Sequence, residues 1–305
     1  MTRIAFLLLI GTATCSCASV APPTPLKLAI TIDDLPVHGP IPAGNSAEGV
    51  AAELIGALRR GGASQAIGMI NGNWTTSEPQ TASILSAWRN AGLPLANHGW
   101  SHRNANELSA SEFEQELTRN EPLLRRLSGG SDWRWFRYPF LSEGDNPAKR
   151  KAARALLARH GYRIAAVTMD FSDWQWTAPY ARCVASKDQQ SIARLERLYL
   201  NAAARGITRS RELSMAVHGR DIPYVVLLHG GAFTARMMPQ LLGLYRREGF
   251  RFVGLDEAER DPAYASDVAP GADGPPATLE GRAAAKGIPI PPPPVDGATI
   301  AALCT

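Results

Sequence analysis

Two carboxylates, Asp33 and Asp34, stand side by side at the end of an apolar run in LAITIDDLPVHG, residues 28–39. A strand sends successive side chains to opposite faces, and adjacent like charges repel. The pair therefore needs either a turn, which Pro36 and Gly39 would supply, or a cation. Partners for a cation are present. NHGWSH places His98 and His102 four residues apart, which in a helical turn or tight loop puts both imidazoles on one side. The glutamate base of an H-E-x-x-H zinc protease motif is missing. Two imidazoles with one of the two aspartates instead form a two-His, one-carboxylate set, which suits Zn²⁺ with a position left open for water. The remaining carboxylate would stay ionised beside the metal, close enough to take a proton from the bound water.

These residues are far apart in the chain, so the elements that carry them must converge. Apolar, β-rich runs fall at 27–34, 64–71, 94–98, 133–139, 163–170, 224–229 and 251–256. Helical patterns such as AEGVAAELIGALRR and PAKRKAARALLARHGY lie between most of them. This alternation predicts an α/β fold with a parallel sheet and helices outside, and about seven strands predict a distorted (β/α) barrel. On that plan Asp33 and Asp34 end the first run and His98 the third. Arg137 lies near the end of the fourth, Asp170 and Asp173 end or follow the fifth, and His229 ends the sixth. The C-terminal ends of parallel barrel strands share one face, so these seven residues, from five runs, would meet there. His160 before Gly161 reads as a helix C-terminus with no catalytic role. His38 and His218 read as loop histidines. The segment 171–222 exceeds a simple crossover, and the end of the chain, 263–305 with its GIPIPPPPVDG stretch, reads as an extended Pro-rich tail.

A chain of 305 residues, 45% hydrophobic and 20% charged, fits one large domain. Its net charge of +4 is spread out, with only the short KRK at 149–151 standing together, which argues against a nucleic-acid partner. The opening MTRIAFLLLIGTATCSCASVAPP combines Arg3, a short apolar run and small residues. It reads as a secretory signal peptide over 1–21, cut after Ala18 or Ala21, with a lipid anchor at Cys15 or Cys17 as the second reading. No later stretch is long and apolar enough for a membrane span. Export leaves Cys183 and Cys304 in an oxidising compartment, which permits a bridge between them; two unrelated thiols are the alternative.

Five short motifs in order, TIDDL, HGWSH, RYPF, DFSDW and LLH, resemble those of the polysaccharide deacetylase family, carbohydrate esterase family 4, over about 27–257. The pattern departs at Leu35 in place of a glycine, at Gly99 in place of Ser or Thr, and at Phe140-Leu141 in place of Tyr-Gly. The resemblance implies a catalytic domain over 26–262 in which Asp33 is the general base and Asp34, His98 and His102 hold a divalent metal, Zn²⁺ by preference. It further implies that Arg137 pairs with Asp33. His229 would be the general acid, oriented by Asp173 or, second, Asp170, and a main-chain N–H near Phe140 would serve the oxyanion. Trp133, Trp135, Trp174 and Trp176 read first as core, with Trp174 a candidate to stack on a sugar ring. The implied activity is hydrolysis of acetyl groups, from an N-acetyl sugar by preference, on a polysaccharide or oligosaccharide, by an exported protein of the periplasm or extracellular space. A glycan-binding protein without turnover and an amidase on a non-sugar acyl amide are the competing readings.

Overall fold

The computed structural model describes residues 25–304, so the leader read at 1–21, with Cys15 and Cys17, lies outside the described residues. Each of the seven apolar runs contributes a strand: β1 Leu26–His38, β2 Ile67–Ile70, β3 Leu95–Asn97, β4 Trp135–Phe136, β5 Arg163–Ile164, β6 Tyr224–Gly231 and β7 Phe250–Val253. All pair in parallel, in the order β5-β4-β3-β2-β1-β6, with β7 also on β1. β1 is the centre. Its partners on β6 run from Leu28↔Tyr224 to Asp33↔His229. A strand has only two hydrogen-bonding edges, so β7, at Leu26–Ala29, and β2, from Thr31, share the other. Leu28, Ala29, Ile30 and Ile32 are all buried, so both faces of the strand are covered, which is why the run reads as continuously apolar rather than alternating.

The sheet curls toward closure beyond β5. Met169 N–H donates to Val225 O (3.1 Å) and Leu227 N–H to Met169 O (3.0 Å), so the chain following β5 returns to β6 on the far edge of the sheet. The architecture is a curled parallel sheet with surrounding helices, the distorted (β/α) barrel that the alternation predicts.

The helices start where the sequence provides caps. Ser46 accepts from Gly49 N–H ahead of Ala47–Arg60, and Ser109 with Glu112 forms a capping box ahead of Ala110–Thr118. Asn146 caps Pro147–Arg159, and that helix ends at His160 before Gly161, whose φ is 70°. The long segment before β6 holds the turn Asp173–Trp176, the helix Thr177–Ala185 and a thirty-residue helix, Gln189–His218. Ile192, Leu195 and Tyr199 bury one face of that long helix, and each aliphatic side chain contributes about 1.5–3 kcal/mol.

The C-terminal segment differs from the extended tail that its prolines suggest. It carries the helices Leu279–Ala285 and Gly297–Ala301. Leu279 and Ala283, four apart, pack against Leu213 and Val217 of the long helix. Ala277 N–H donates to the buried Glu143 Oε1 (2.6 Å), and Cys304 is disulfide-bonded to Cys183. Composition signalled the prolines; the apolar pair and the terminal cysteine decide the outcome.

Candidate active site

Regular alternation along β1 puts Thr31 and Asp33 on one face and would send Asp34 to the other. The ladder breaks just there. From Ile32↔Gly68 to Leu35↔Ile70, β1 uses one residue more than β2, a bulge, and Asp34 takes a left-handed φ of 61°. The bulge re-aims Asp34, so that both adjacent carboxylates line one cavity of about 380 Å³. Leu35, which replaces the glycine of the motif, is not in the cavity wall but buried in the sheet. Flanking glycines make its room: a Cβ on Gly68 would lie 2.2 Å from Leu35 Cδ1, and one on Gly230 2.9 Å from Leu35 Cδ2.

Asp33 is held from below. Arg137 Nη1 lies 3.2 Å from Asp33 Oδ2 and 3.4 Å from Oδ1, while Nη2 donates to Thr31 Oγ1 (3.0 Å) and Nε to Ala165 O (2.8 Å). Both partners are buried, so the guanidinium is the charge that balances Asp33. Asp34 faces imidazoles instead. Its Oδ1 is 3.3 Å from His98 Nε2 and 3.1 Å from His102 Nε2, and these three atoms lie within 4.8 Å of one another. His98 Nδ1 faces the Arg137 carbonyl at 2.9 Å, so that nitrogen carries the hydrogen and Nε2 presents a lone pair toward Asp34.

Asp34 Oδ1 is buried and carries no hydrogen bond. Two imidazole nitrogens facing a buried carboxylate oxygen form a donor set that fits a divalent cation, and nitrogen with oxygen ligands suits Zn²⁺. The carboxylates also favour positive charge at this point, whether carried by a proton or by a metal ion. Burial pushes the Asp34 carboxyl up, but the facing His102, His38 and His98 outweigh it and hold it well below the usual range. Burial pushes His98 down, and Asp33 and Asp34 outweigh that and raise it.

The loop that presents the two histidines is pinned by residues to which the sequence assigned no role. Asn71 Nδ2 donates to His98 O (2.6 Å), and Asn120 Nδ2 to Gly99 O (3.1 Å). Glu116 accepts from Ser101 N–H (2.7 Å) and Ser101 Oγ (2.6 Å). Single amides scattered through the chain leave no pattern to read. Gly99 has a φ of 76°, a conformation a side chain would strain.

Across the cavity, His229 ends the hydrogen-bonded stretch of β6 opposite Asp33. Its Nδ1 is 2.7 Å from Asp173 Oδ1, and its N–H donates to Asp173 Oδ2 at 2.9 Å. Thr234 Oγ1 donates to the same oxygen (2.7 Å), leaving the fully buried carboxylate satisfied. Burial would push His229 down; Asp173, then Asp34 and Asp33, outweigh it and raise it to about 9. Asp170, the second candidate to orient His229, makes no hydrogen bond to it. It lines the cavity, accepts from Ser172 N–H (2.7 Å), and is pushed up to about 6 by burial and the like charge of Asp173.

At the mouth stand Phe140, 64% exposed, and Trp174, 49% exposed, whereas Trp133, Trp135 and Trp176 are core. Phe140 and Leu141 both have left-handed φ, 57° and 54°. Leu141 thus bears the strain that the motif's glycine would avoid. The Phe140 ring sits edge-on to His102, centroids 4.5 Å apart. His38, read as a loop histidine, lies instead at the end of β1 with Nδ1 2.6 Å from Asp34 Oδ2.

A curled parallel sheet with ionisable groups gathered at the C-terminal ends of its strands defines the class: a distorted (β/α) barrel with a polar site on one face. Residues 21–165, a little under half of the chain, match the family model described as polysaccharide deacetylase, in line with the resemblance of its motifs. Solved structures of the same fold include a carbohydrate esterase family 4 pseudoenzyme from Bacillus anthracis, at TM-score 0.54 and 16% identity over 78% of this chain and 66% of that one. The chitin deacetylase of the fungal pathogen Colletotrichum lindemuthianum matches at TM-score 0.52 and 23% identity, over 77% and 88%. The family 4 domain of a multidomain xylanase from the hindgut metagenome of Trinervitermes trinervoides matches at 0.51 and 18%, over 79% and 92%. At these identities the likeness is one of fold.

Proposed function

We propose that this protein is an exported, metal-dependent deacetylase that hydrolyses acetyl groups from an N-acetylated polysaccharide or oligosaccharide. The observation that carries the reading is the division of the cavity. Asp34, His98 and His102 converge on one point, Asp33 stands beside them on Arg137, and His229 stands opposite on Asp173.

Asp34, His98 and His102 would hold the cation, which when bound acidifies water and polarises the acetyl carbonyl. Asp33, kept ionised by Arg137, takes the proton of the attacking water. The main-chain N–H at Phe140 donates to the oxygen on which charge develops, a role that does not need a tyrosine hydroxyl. His229, charged on its Asp173 support, gives its Nε2 proton to the departing nitrogen, so that acetate and a free amine result. Trp174 and Phe140 at the mouth offer apolar faces to the sugar. No helix among the described residues is long and apolar enough to cross a membrane, and the signal-like leader supports export.

A second reading, glycan binding without turnover, is favoured by the presence of a pseudoenzyme among the similar folds. Acetate release separates the two. Metal-free and Zn²⁺-restored protein should be assayed on N-acetylated chitooligosaccharides, peptidoglycan and O-acetylated xylan. Zn²⁺-dependent release from an N-acetylated glycan is expected; binding without release on every substrate would overturn the proposal.

A further inference from the structure

The Asp34 carboxylate has two oxygens with different surroundings. Oδ1 faces His98 and His102 and has no hydrogen bond, whereas Oδ2 is 2.6 Å from His38 Nδ1. A carboxylate only accepts, so His38 Nδ1 carries the hydrogen and donates. We propose that His38 is a positioning residue for the metal centre, fixing Asp34 through Oδ2 so that Oδ1 stays aimed at the two ligand histidines. The inference rests on the metal-centre reading above.

Three features make His38 a preorganised donor. β1 leaves β6 after Asp33↔His229 and rejoins it at His38↔Gly231, using five residues against two, so the backbone of His38 is anchored again on the sheet. The excursion between them lets a residue four positions on turn back to Asp34. On its other side the His38 ring packs on His229, centroids 5.0 Å apart at 52°, and its side chain is mostly buried. Without this donor the carboxylate is free to turn about its broad terminal torsion and to draw Oδ1 away from His98 and His102. Hydrogen bonds to a ligating carboxylate orient it for the metal, and losing such a partner typically weakens binding by about 10–100-fold.

The test is Zn²⁺ affinity, measured on metal-free protein by competition with a chromophoric chelator, with no substrate present. Asn places an amide nitrogen near the position of His Nδ1, whereas Gln places it near Nε2. His38→Ala and His38→Gln are expected to bind Zn²⁺ about 10–100-fold more weakly, and His38→Asn within about threefold of the parent. Near-UV circular dichroism of the metal-free variants checks the fold; should His38→Ala fail to fold, the Asn and Gln variants carry the same comparison. Parental affinity in His38→Ala overturns the proposal. Equal weakening in all three variants also overturns it, because ring bulk rather than the Nδ1 donor would then be at work. A parent protein that binds no Zn²⁺ fails at an earlier step, removing the metal-centre reading and this inference with it.

Discussion

Replacing Asp173 by Asn isolates the acid arm of the site. The buried carboxylate accepts three hydrogen bonds, two from His229 and one from Thr234. An amide can keep the backbone and Thr234 donors on its oxygen, but it must turn its NH₂ toward His229 Nδ1, which then accepts and holds the ring neutral. In the parent, burial opposes the charge on His229, and Asp173 leads the groups that nevertheless raise it from 6.5 to about 9. That rise corresponds to about 3 kcal/mol in favour of the folded imidazolium. The folded value lies above the unfolded one, so this stability is fully present below pH 6.5 and is lost as pH climbs through about 9. In Asp173→Asn burial dominates, and the fall in stability across that window should flatten. Near neutral pH, kcat for acetate release should drop by about 10²–10⁴-fold with little change in KM, because the proton donor is lost while the binding surface remains. Urea unfolding of both metal-free proteins across the window, with initial rates on one N-acetylated oligosaccharide, measures both effects. A variant that keeps the parental slope and the parental kcat refutes Asp173 as the support of a charged His229.

The adjacent carboxylates should separate by metal content: Asp33→Asn retains near-parental Zn²⁺ by elemental analysis but loses about 10²-fold or more in kcat. Asp34→Asn loses metal and recovers part of its activity in excess Zn²⁺; identical behaviour of the two variants would end the proposed division of labour. Peptide mapping without reductant should recover Cys183 joined to Cys304, and two free thiols there would contradict the bridge. Closing a separation of 121 residues contributes about 4–5 kcal/mol in the chain-entropy model, so Cys183→Ser should lower the urea midpoint measurably. N-terminal mass analysis of native protein should find a start near Ser19 or Pro22; a lipid on Cys15 or Cys17 would indicate the lipoprotein route, and an intact Met1 would exclude export.

Much of the fold was legible because β1 and β6 are buried on both faces and therefore announce themselves as unbroken apolar runs. The runs at 133–139 and 163–170 shrink to Trp135–Phe136 and Arg163–Ile164. Just beyond them, the Arg137 side chain reaches Asp33 while its N–H still donates to Asn97 O, and Met169 turns away to meet β6. The ionisable residues of the site could be found because each ends or follows a strand. What the sequence hides is backbone conformation at residues whose type does not demand it. Nothing in an aspartate signals the left-handed turn at Asp34, and without that turn the place of His38 beside Asp34 Oδ2 cannot be inferred. The amides of Asn71 and Asn120 are invisible for a related reason: they act on main-chain carbonyls, which every residue possesses.

β1 is laddered to β2, β6 and β7. Exposing its stretch from Leu28 to Ile32 breaks pairings on both edges, so the amides there belong among the slowest to exchange. Phe140, by contrast, rides on the single turn Pro139–Leu141. If the proposed function holds, the base Asp33 sits on a doubly paired strand, and contact with the sugar falls to side chains that can be rewritten. On the proposed reading, changing the side chains of that turn while keeping its main chain, and with it the Phe140 N–H, offers a way to move such a barrel from one glycan to another, in a lineage or on the bench, while the spacing of Asp33 and Asp34 stays as the sheet sets it.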